Sequence, residues 1–346
     1  SSLGDAQALS ILTLFDNDLR GTIPASLGNL HDLRVLCLQD NQLVGSIPSS
    51  LSELINLQEL SLHGNFLSGS IPTNLFDSLT FLEQLQLHGN MLVGPIPSSI
   101  GKLQPLWLLS LYNNQLSGSI PDSVGSLSNV RYAYLFNNRL TGSIPESLGN
   151  MFSMQVLAVF NNQLTGRIPH TIGYLFYLQE LSVQTNSLDS PLPETIGFLG
   201  SCSIFNFANN RLSGTLPNNL DFMTNLESFD IRSNVISGMF PSSLASPWNM
   251  NLEVLELGGN ALSGSLPWEL SNLQSLRNLA LNDNHLGGTL PSFLGYMWSL
   301  SSLSLEYNWF SGTIPITLGF LGNLERLSLF GNRLTGAIPD SFWTLF

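Results

Sequence analysis

Charge is scarce in this sequence. Asp, Glu, Lys and Arg make up 10% of its 346 residues, against about 25% in a typical soluble domain. Basic residues are the scarcer kind, with 11 Lys and Arg against 24 Asp and Glu and a formal net charge of −13. A chain so short of cations cannot neutralise many phosphates, which excludes nucleic acid and anionic membrane surfaces as partners. No run of about 18 apolar residues occurs, so no helix of this segment inserts in a bilayer. Cysteine is limited to Cys37 and Cys202, which excludes a disulfide-rich scaffold. There is no Asn-x-Ser/Thr sequon despite abundant Asn. Nor is there a His-Glu-x-x-His, a phosphate loop or a Ser-His-Asp or Cys-His arrangement, and no paired carboxylates converge. The expectation is a protein without catalytic residues, cofactor or metal.

What the sequence does have is one unit, repeated. Asparagines recur at Asn17, Asn41, Asn65, Asn90, Asn114, Asn138, Asn162, Asn186, Asn210, Asn234, Asn260, Asn284, Asn308 and Asn332. Eleven of the thirteen intervals are 24 residues, one is 25 and one is 26. The unit reads Leu57-x-x-Leu60-x-Leu62-x-x-Asn65-x-Leu67-x-Gly69-x-Ile71-Pro72. A period in this range with such a core marks a leucine-rich repeat. Leu60 and Leu62, two apart on a short strand, face the same side and fill the interior of a coil. The Asn amide, both donor and acceptor, suits the buried turn that follows. Gly stands four after the Asn in thirteen of fourteen repeats, Ser190 being the exception, and Pro seven after it in all fourteen. Pro lacks an N–H and fixes φ, which suits the end of a short second strand. The expected fold is an α/β-type repeat solenoid, right-handed, with one parallel concave sheet and short second strands, and with 3-10 and loop segments on the convex side. Residues 1–346 are expected to form one solenoid of about fourteen repeats of 24 residues, because single coils gain stability only by stacking.

The Leu-x-Gly-x-Ile-Pro signature resembles the plant-type leucine-rich repeats of receptor-kinase ectodomains, receptor-like proteins and polygalacturonase inhibitors. The resemblance spans essentially the whole chain and implies a ligand-binding concave sheet. It also implies an extracellular or membrane-tethered ectodomain, flanked by further domains or partner subunits. Three features depart from that family. Its usual cysteine-paired caps are missing. Ser1-Ser2-Leu3-Gly4 looks like the tail of a preceding repeat and Phe346 falls inside one, so the chain is expected to be a piece truncated at both ends. No interval leaves room for an inserted island domain. The missing sequons, and a thiol expected to be exposed at Cys37, point the other way, to a reducing compartment. Arg-x-Arg, which some peptide-hormone receptors of the family use to grip a ligand carboxylate, is absent.

Register assigns the faces. Positions five and three before each Asn point inward, and those six, four, two and one before it face the concave surface. Ahead of Asn138, Ala133 and Leu135 are therefore inward, while Tyr132, Tyr134 and Phe136 are displayed. The column two before each Asn runs Phe15, Gln39, His63, His88, Tyr112, Phe136, Phe160, which places Tyr112, Phe136 and Phe160 on adjacent turns about 5 Å apart. Together with His63 and His88, these five aromatic side chains are the expected partner-binding residues, because a surface cluster of rings usually marks an interface. Tyr307, Trp309 and Phe330 form a second expected patch. Asp16, Asp18, Asp40 and Glu59 gather at the N-terminal concave edge, either to steer a basic ligand or simply as a solvated face. His63 and His88 have one metal geometry open to them, but no third firm ligand. Cys202 takes a core Leu position and should be buried.

Two classes of function compete. The favoured one is a non-enzymatic module that binds a peptide or protein on the concave face, within a larger receptor or scaffold. The alternatives are an architectural spacer in an assembly and, less favoured, an ice-binding solenoid. The last would use hydroxyl rows three and five after each Asn, such as Ser117, Thr141, Ser119 and Ser143. Between Asn186 and Asn260 the pattern loosens, with Phe205 and Phe207 for Leu and two extra residues near Trp248. A change of curvature is the expected cause.

Overall fold

The computed structural model describes residues 6–344; Ser1 to Gly4 and Phe346, where the truncated repeats were expected, lie outside them. The chain divides into two units, Ser1–Leu178 and Gln179–Phe346, and each is built from the same coil.

In the first unit, seven short strands form parallel pairs: Ile11–Thr13, Val35–Cys37, Glu59–Ser61, Gln84–Gln86, Leu108–Ser110, Tyr132–Tyr134 and Val156–Ala158. Tyr132 pairs with Leu108 on one side and Val156 on the other, one repeat away in each direction. The strands stop after three residues because the chain must turn inward. It does so through a left-handed residue just before each ladder Asn. Asp16, Asp40, Gly64, Gly89, Asn113, Asn137 and Asn161 hold φ between 50° and 63°, which Gly, Asn and Asp tolerate best.

The ladder Asn secures that turn. The Asn138 amide donates to the carbonyls of Leu111, Leu135 and Phe136 at 3.0, 3.1 and 3.3 Å, and its Oδ1 accepts the Leu116 N–H at 3.0 Å. One side chain thus serves its own turn and the preceding one, and Asn41, Asn65, Asn90 and Asn114 repeat the pattern. Beyond it, Gly118 takes φ 75°, where a Cβ would be strained. Pro121 then opens a 3-10 helix, Asp122–Ser126, whose Val124 N–H donates to the Pro121 carbonyl. The interior is filled by the inward pairs: Leu60 and Leu62 are fully buried, and Ala133 and Leu135 are each 3% exposed. The register read from the sequence holds.

Six second strands, from Arg20–Thr22 to Arg139–Thr141, make a parallel sheet along the flank of this unit. Its register slips by two residues per turn, so Ser117 lies across from Arg139 and Ser119 from Thr141. Hydroxyls three after the Asn therefore do not face one another from strand to strand, and Val44 and Val93 interrupt them.

The second unit repeats the plan in the strands Glu180–Ser182, Ile204–Asn206, Ser228–Asp230, Val254–Glu256, Asn278–Ala280, Ser302–Ser304 and Arg326–Ser328. Its loosened stretch has a structural cause. Phe205 stacks on Phe207 at 4.2 Å and on Phe229 at 4.9 Å, all fully buried, and Cys202 is buried as expected. Ser190, in place of the left-handed glycine, is not left-handed, and one turn later the second strand shrinks to a single bridge, Thr215 to Ser237. The two extra residues form a loop held by buried Asn249, which donates to the Leu220 and Leu244 carbonyls.

Two substitutions test this frame. Leu135→Ala should lower stability by about 2–5 kcal/mol through lost burial and a cavity. Asn138→Leu should cost about 1–3 kcal/mol for each buried backbone group left without its partner. Denaturant melts of both variants check this. An Asn138→Leu curve superimposable on the parent would contradict the role given to the amide.

Candidate functional site

The rings two before each Asn form a continuous stack in the first unit. His63 lies 4.2 Å from His88, His88 4.2 Å from Tyr112, Tyr112 4.4 Å from Phe136 and Phe136 4.4 Å from Phe160, with planes within 15° of parallel. Parallel pairing puts identical positions one above the other, so five flat side chains in one column are brought within stacking distance. Each ring is half-buried by its neighbours. Tyr134 stands perpendicular to this stack, edge-on to Tyr112 and Phe136 at 6.4 Å each. Tyr132 lies parallel to Tyr134 and donates its hydroxyl to Gln155. All seven expected ring residues thus fall on one surface. Beside them an open hollow of about 390 Å³ is bounded by Gln86, His88, Ser110, Tyr112, Tyr134 and Phe136.

At the position four before the Asn, side-chain size decides exposure, and Gln86 and Tyr134 reach the surface. Small side chains there are covered by longer ones in the flanking columns: Ser61, Ser110 and Ala158 are buried. This corrects the expectation for Cys37. It is 5% exposed, its thiol donates to Glu59 Oε1 at 3.3 Å, and burial together with that carboxylate pushes its pKa up to about 12. It is a shielded thiol, not an exposed one, and no longer speaks for a reducing compartment. Cys202 is likewise pushed up to about 12 by burial.

The other groups sort differently from expectation. Asp18 lies on the second-strand side, accepting from Gln42 at 2.7 Å, and leaves the concave edge to Asp16, Asp40 and Glu59. The second patch divides in two. Tyr307 meets Phe330 edge-on at 4.8 Å, while Trp309 stacks on His285 at 4.8 Å with the Arg333 guanidinium 5.6 Å above its ring. Among the described residues no group of three or more His, Cys, Asp or Glu is placed to hold a metal, and His63 and His88 meet face to face. Trp107 was missed by the sequence reading. It lies seven before its Asn, outside the assigned columns, yet meets Tyr132 edge-on at 6.2 Å. A second amide row was missed too: Asn161 donates to Asn137 and Asn137 to Asn113, each at 2.7 Å. Three identical residues at the left-handed corner on successive turns were its signal.

Burial alters the titration of the imidazoles. It lowers the His63 pKa, with Asp40 and Glu59 opposing. For His88, burial and then the neighbouring His63 bring the value down from 6.5 to about 4, while Ser110 Oγ bonds Nδ1 at 2.9 Å. The stack is neutral at neutral pH.

Comparison with known proteins places this geometry. The family model described as "Leucine Rich Repeat" matches residues 32–54, 56–78, 81–103, 106–127, 129–151, 251–273, 275–297, 299–321 and 323–345. No curated protein sequence matches the chain. Among solved structures, the plant peptide hormone receptor RGFR1 in complex with RGF2 is 33% identical with TM-score 0.95, over 99% of this chain and 54% of that one. The ectodomain of the Arabidopsis thaliana receptor kinase GASSHO1/SCHENGEN3, in complex with CASPARIAN STRIP INTEGRITY FACTOR 2, is 34% identical with TM-score 0.84, over 99% and 44%. A TDR receptor is 31% identical with TM-score 0.85, over 99% and 63%. The chain spans about half the length of these relatives.

Two measurements follow from the shielded groups. Neither thiol should react with a bulky maleimide until the chain unfolds; rapid native labelling of Cys37 would refute its burial. Because the unfolded chain takes up the His88 proton near pH 6.5 and the folded chain only near pH 4, the unfolded state binds more protons between those values and stability falls as pH falls. His88→Phe should flatten the dependence of melting temperature on pH between 7 and 4.5, relative to the parent. Parallel curves would show that His88 is not shielded.

Proposed function

Since the chain belongs to the plant-type leucine-rich repeat family, we propose that it is the recognition segment of a receptor-like protein. In this reading it works without catalysis, and it binds a peptide or protein on the concave face of the first unit. The observation that carries it is the stack from His63 to Phe160 with Tyr132 and Tyr134 alongside. A surface of seven half-buried rings with a hollow beside it suits a contact hot spot, which concentrates in aromatic residues within a shielded setting. It is also preorganised: the stacked rings are held by one another, so little side-chain freedom is lost on binding. RGFR1 with RGF2 and GASSHO1/SCHENGEN3 with its factor are receptors solved with their partners, which supports ligand binding for a chain of this fold. An ectodomain outside the membrane is the matching location. No helix among the described residues is long and apolar enough to cross a membrane. Flanking domains are part of the proposal, as are partner subunits. Tyr307, Trp309 and Phe330 are kept as a second contact, made of two separate ring pairs.

The test is selection of random dodecapeptides displayed on phage against the chain, with synthetic versions then titrated. Phe136→Ala should weaken captured peptides by about tenfold or more, a hot-spot loss of at least about 1.4 kcal/mol. The same change should cost about 1–3 kcal/mol of stability, since Phe136 stacks on both sides. Trp309→Ala should leave these peptides bound. If every captured peptide binds Phe136→Ala and the folded parent alike, the concave reading fails.

A further inference from the structure

The three inner rings of the stack have both faces covered by neighbouring rings and the two end rings one face each, so what the stack chiefly offers a ligand is edges. Ring edges carry the positive end of the aromatic quadrupole. They accept apolar groups and carbonyl oxygens and give a cation nothing, since cation–π attraction needs a face. Charge on this surface comes from elsewhere. The column seven before the ladder Asn carries Arg34, Glu83 and Arg131, and among the described residues of the first unit the positions six, four, two and one before it hold three carboxylates, Asp16, Asp40 and Glu59, and no Lys or Arg. All three lie on the first three turns, while Tyr132, Tyr134, Phe136 and Phe160 lie on the sixth and seventh. The imidazoles between them carry no compensating charge at neutral pH, with both pKa values lowered by burial. Asp40 lies 3.7 Å from His63 Nε2 and keeps its side chain 59% exposed. Near it Gln39 Oε1 is a buried acceptor with no hydrogen-bond partner among the described residues.

From this polarity we infer that the ligand is an extended peptide carrying a bulky apolar residue and a Lys or Arg at a fixed spacing and direction. This deepens the peptide reading proposed above and rests on it. The apolar side chain enters the hollow beside Tyr112, Tyr134 and Phe136, and the cation reaches Asp40 and Glu59. Three stacking steps of 4.4, 4.2 and 4.2 Å separate Phe136 from His63, roughly 13 Å, or about four residues of extended chain at ~3.3 Å each. The spacing between the two anchor residues is therefore about four, with the cation toward the lower-numbered turns. An acidic peptide held in this direction brings its charge against Asp40 and Glu59, so like-charge repulsion selects against it.

Phage-displayed dodecapeptides selected on the chain, and then screened for loss on Phe136→Ala, test this. The expected set is rich in Lys or Arg about four residues from an aromatic or branched aliphatic residue. Titrated as synthetic peptides, members should weaken by about tenfold or more on Asp40→Asn/Glu59→Gln, with a marked decrease in salt dependence. Both replacements keep side-chain size, and the introduced glutamine retains an acceptor for Cys37 and Ser61; circular dichroism and melting confirm that the variant folds. Peptides that need Phe136 but lack the cation, or bind Asp40→Asn/Glu59→Gln unchanged, overturn the inference and leave concave recognition standing. A selection that yields no Phe136-dependent peptide overturns both.

Discussion

A carboxamide inside the turn is what the rest of this structure depends on. A coil of 24 residues that bends inward after three residues of strand must bury backbone N–H and C=O groups that no ladder can reach. The asparagine side chain answers this with both its donor and its acceptor. It ties its own turn to the previous one at distances near 3 Å, repeat after repeat. Leucine supplies the burial, but leucine alone has no direction. The amide fixes where the chain turns, hence the length of the strand, hence which alternate side chains are presented. The aromatic stack follows from that: five rings lie within 15° of parallel because the turn after each is the same.

Much of this was legible in the sequence because the governing terms are local and repeated. A period of 24, an Asn at its centre and alternation by two are enough to assign Ala133 and Leu135 to the interior. The same arithmetic brought His63, His88, Tyr112, Phe136 and Phe160 into one column. What it left out depends on side-chain size across neighbouring columns. Cys37 faces the concave side by register, yet a small side chain between Gln39, Glu59 and their neighbours is roofed over. Facing a surface and reaching it are different properties. Asp18 was misplaced for another reason: just after the Asn, the chain has already turned onto the second sheet, where the register slips by two residues per turn, and Trp309 also lies on such a second strand. Trp309 therefore meets His285 and Arg333 rather than Tyr307.

The loosened stretch of the second unit shows how the coil absorbs substitutions. Cys202 is smaller than the leucine it replaces, and Phe205, Phe207 and Phe229 are larger than theirs; stacking of the three keeps the interior filled. Ser190 cannot follow glycine into the left-handed region at low cost, and one turn later the second sheet is reduced to a single bridge. The inner strands continue through the same turns unaltered. The variation falls on the flank while the inner sheet keeps its register.

The left-handed corner has a consequence for access. In the first unit every corner residue is Asp, Gly or Asn, because longer or branched side chains resist that conformation. The rim running alongside the aromatic column is accordingly low, whereas Thr185 and Tyr307 take the same corner in the second unit. Beside the stack the corners are Gly64, Gly89, Asn113, Asn137 and Asn161, so on that flank the rings stand behind a sill and not a wall.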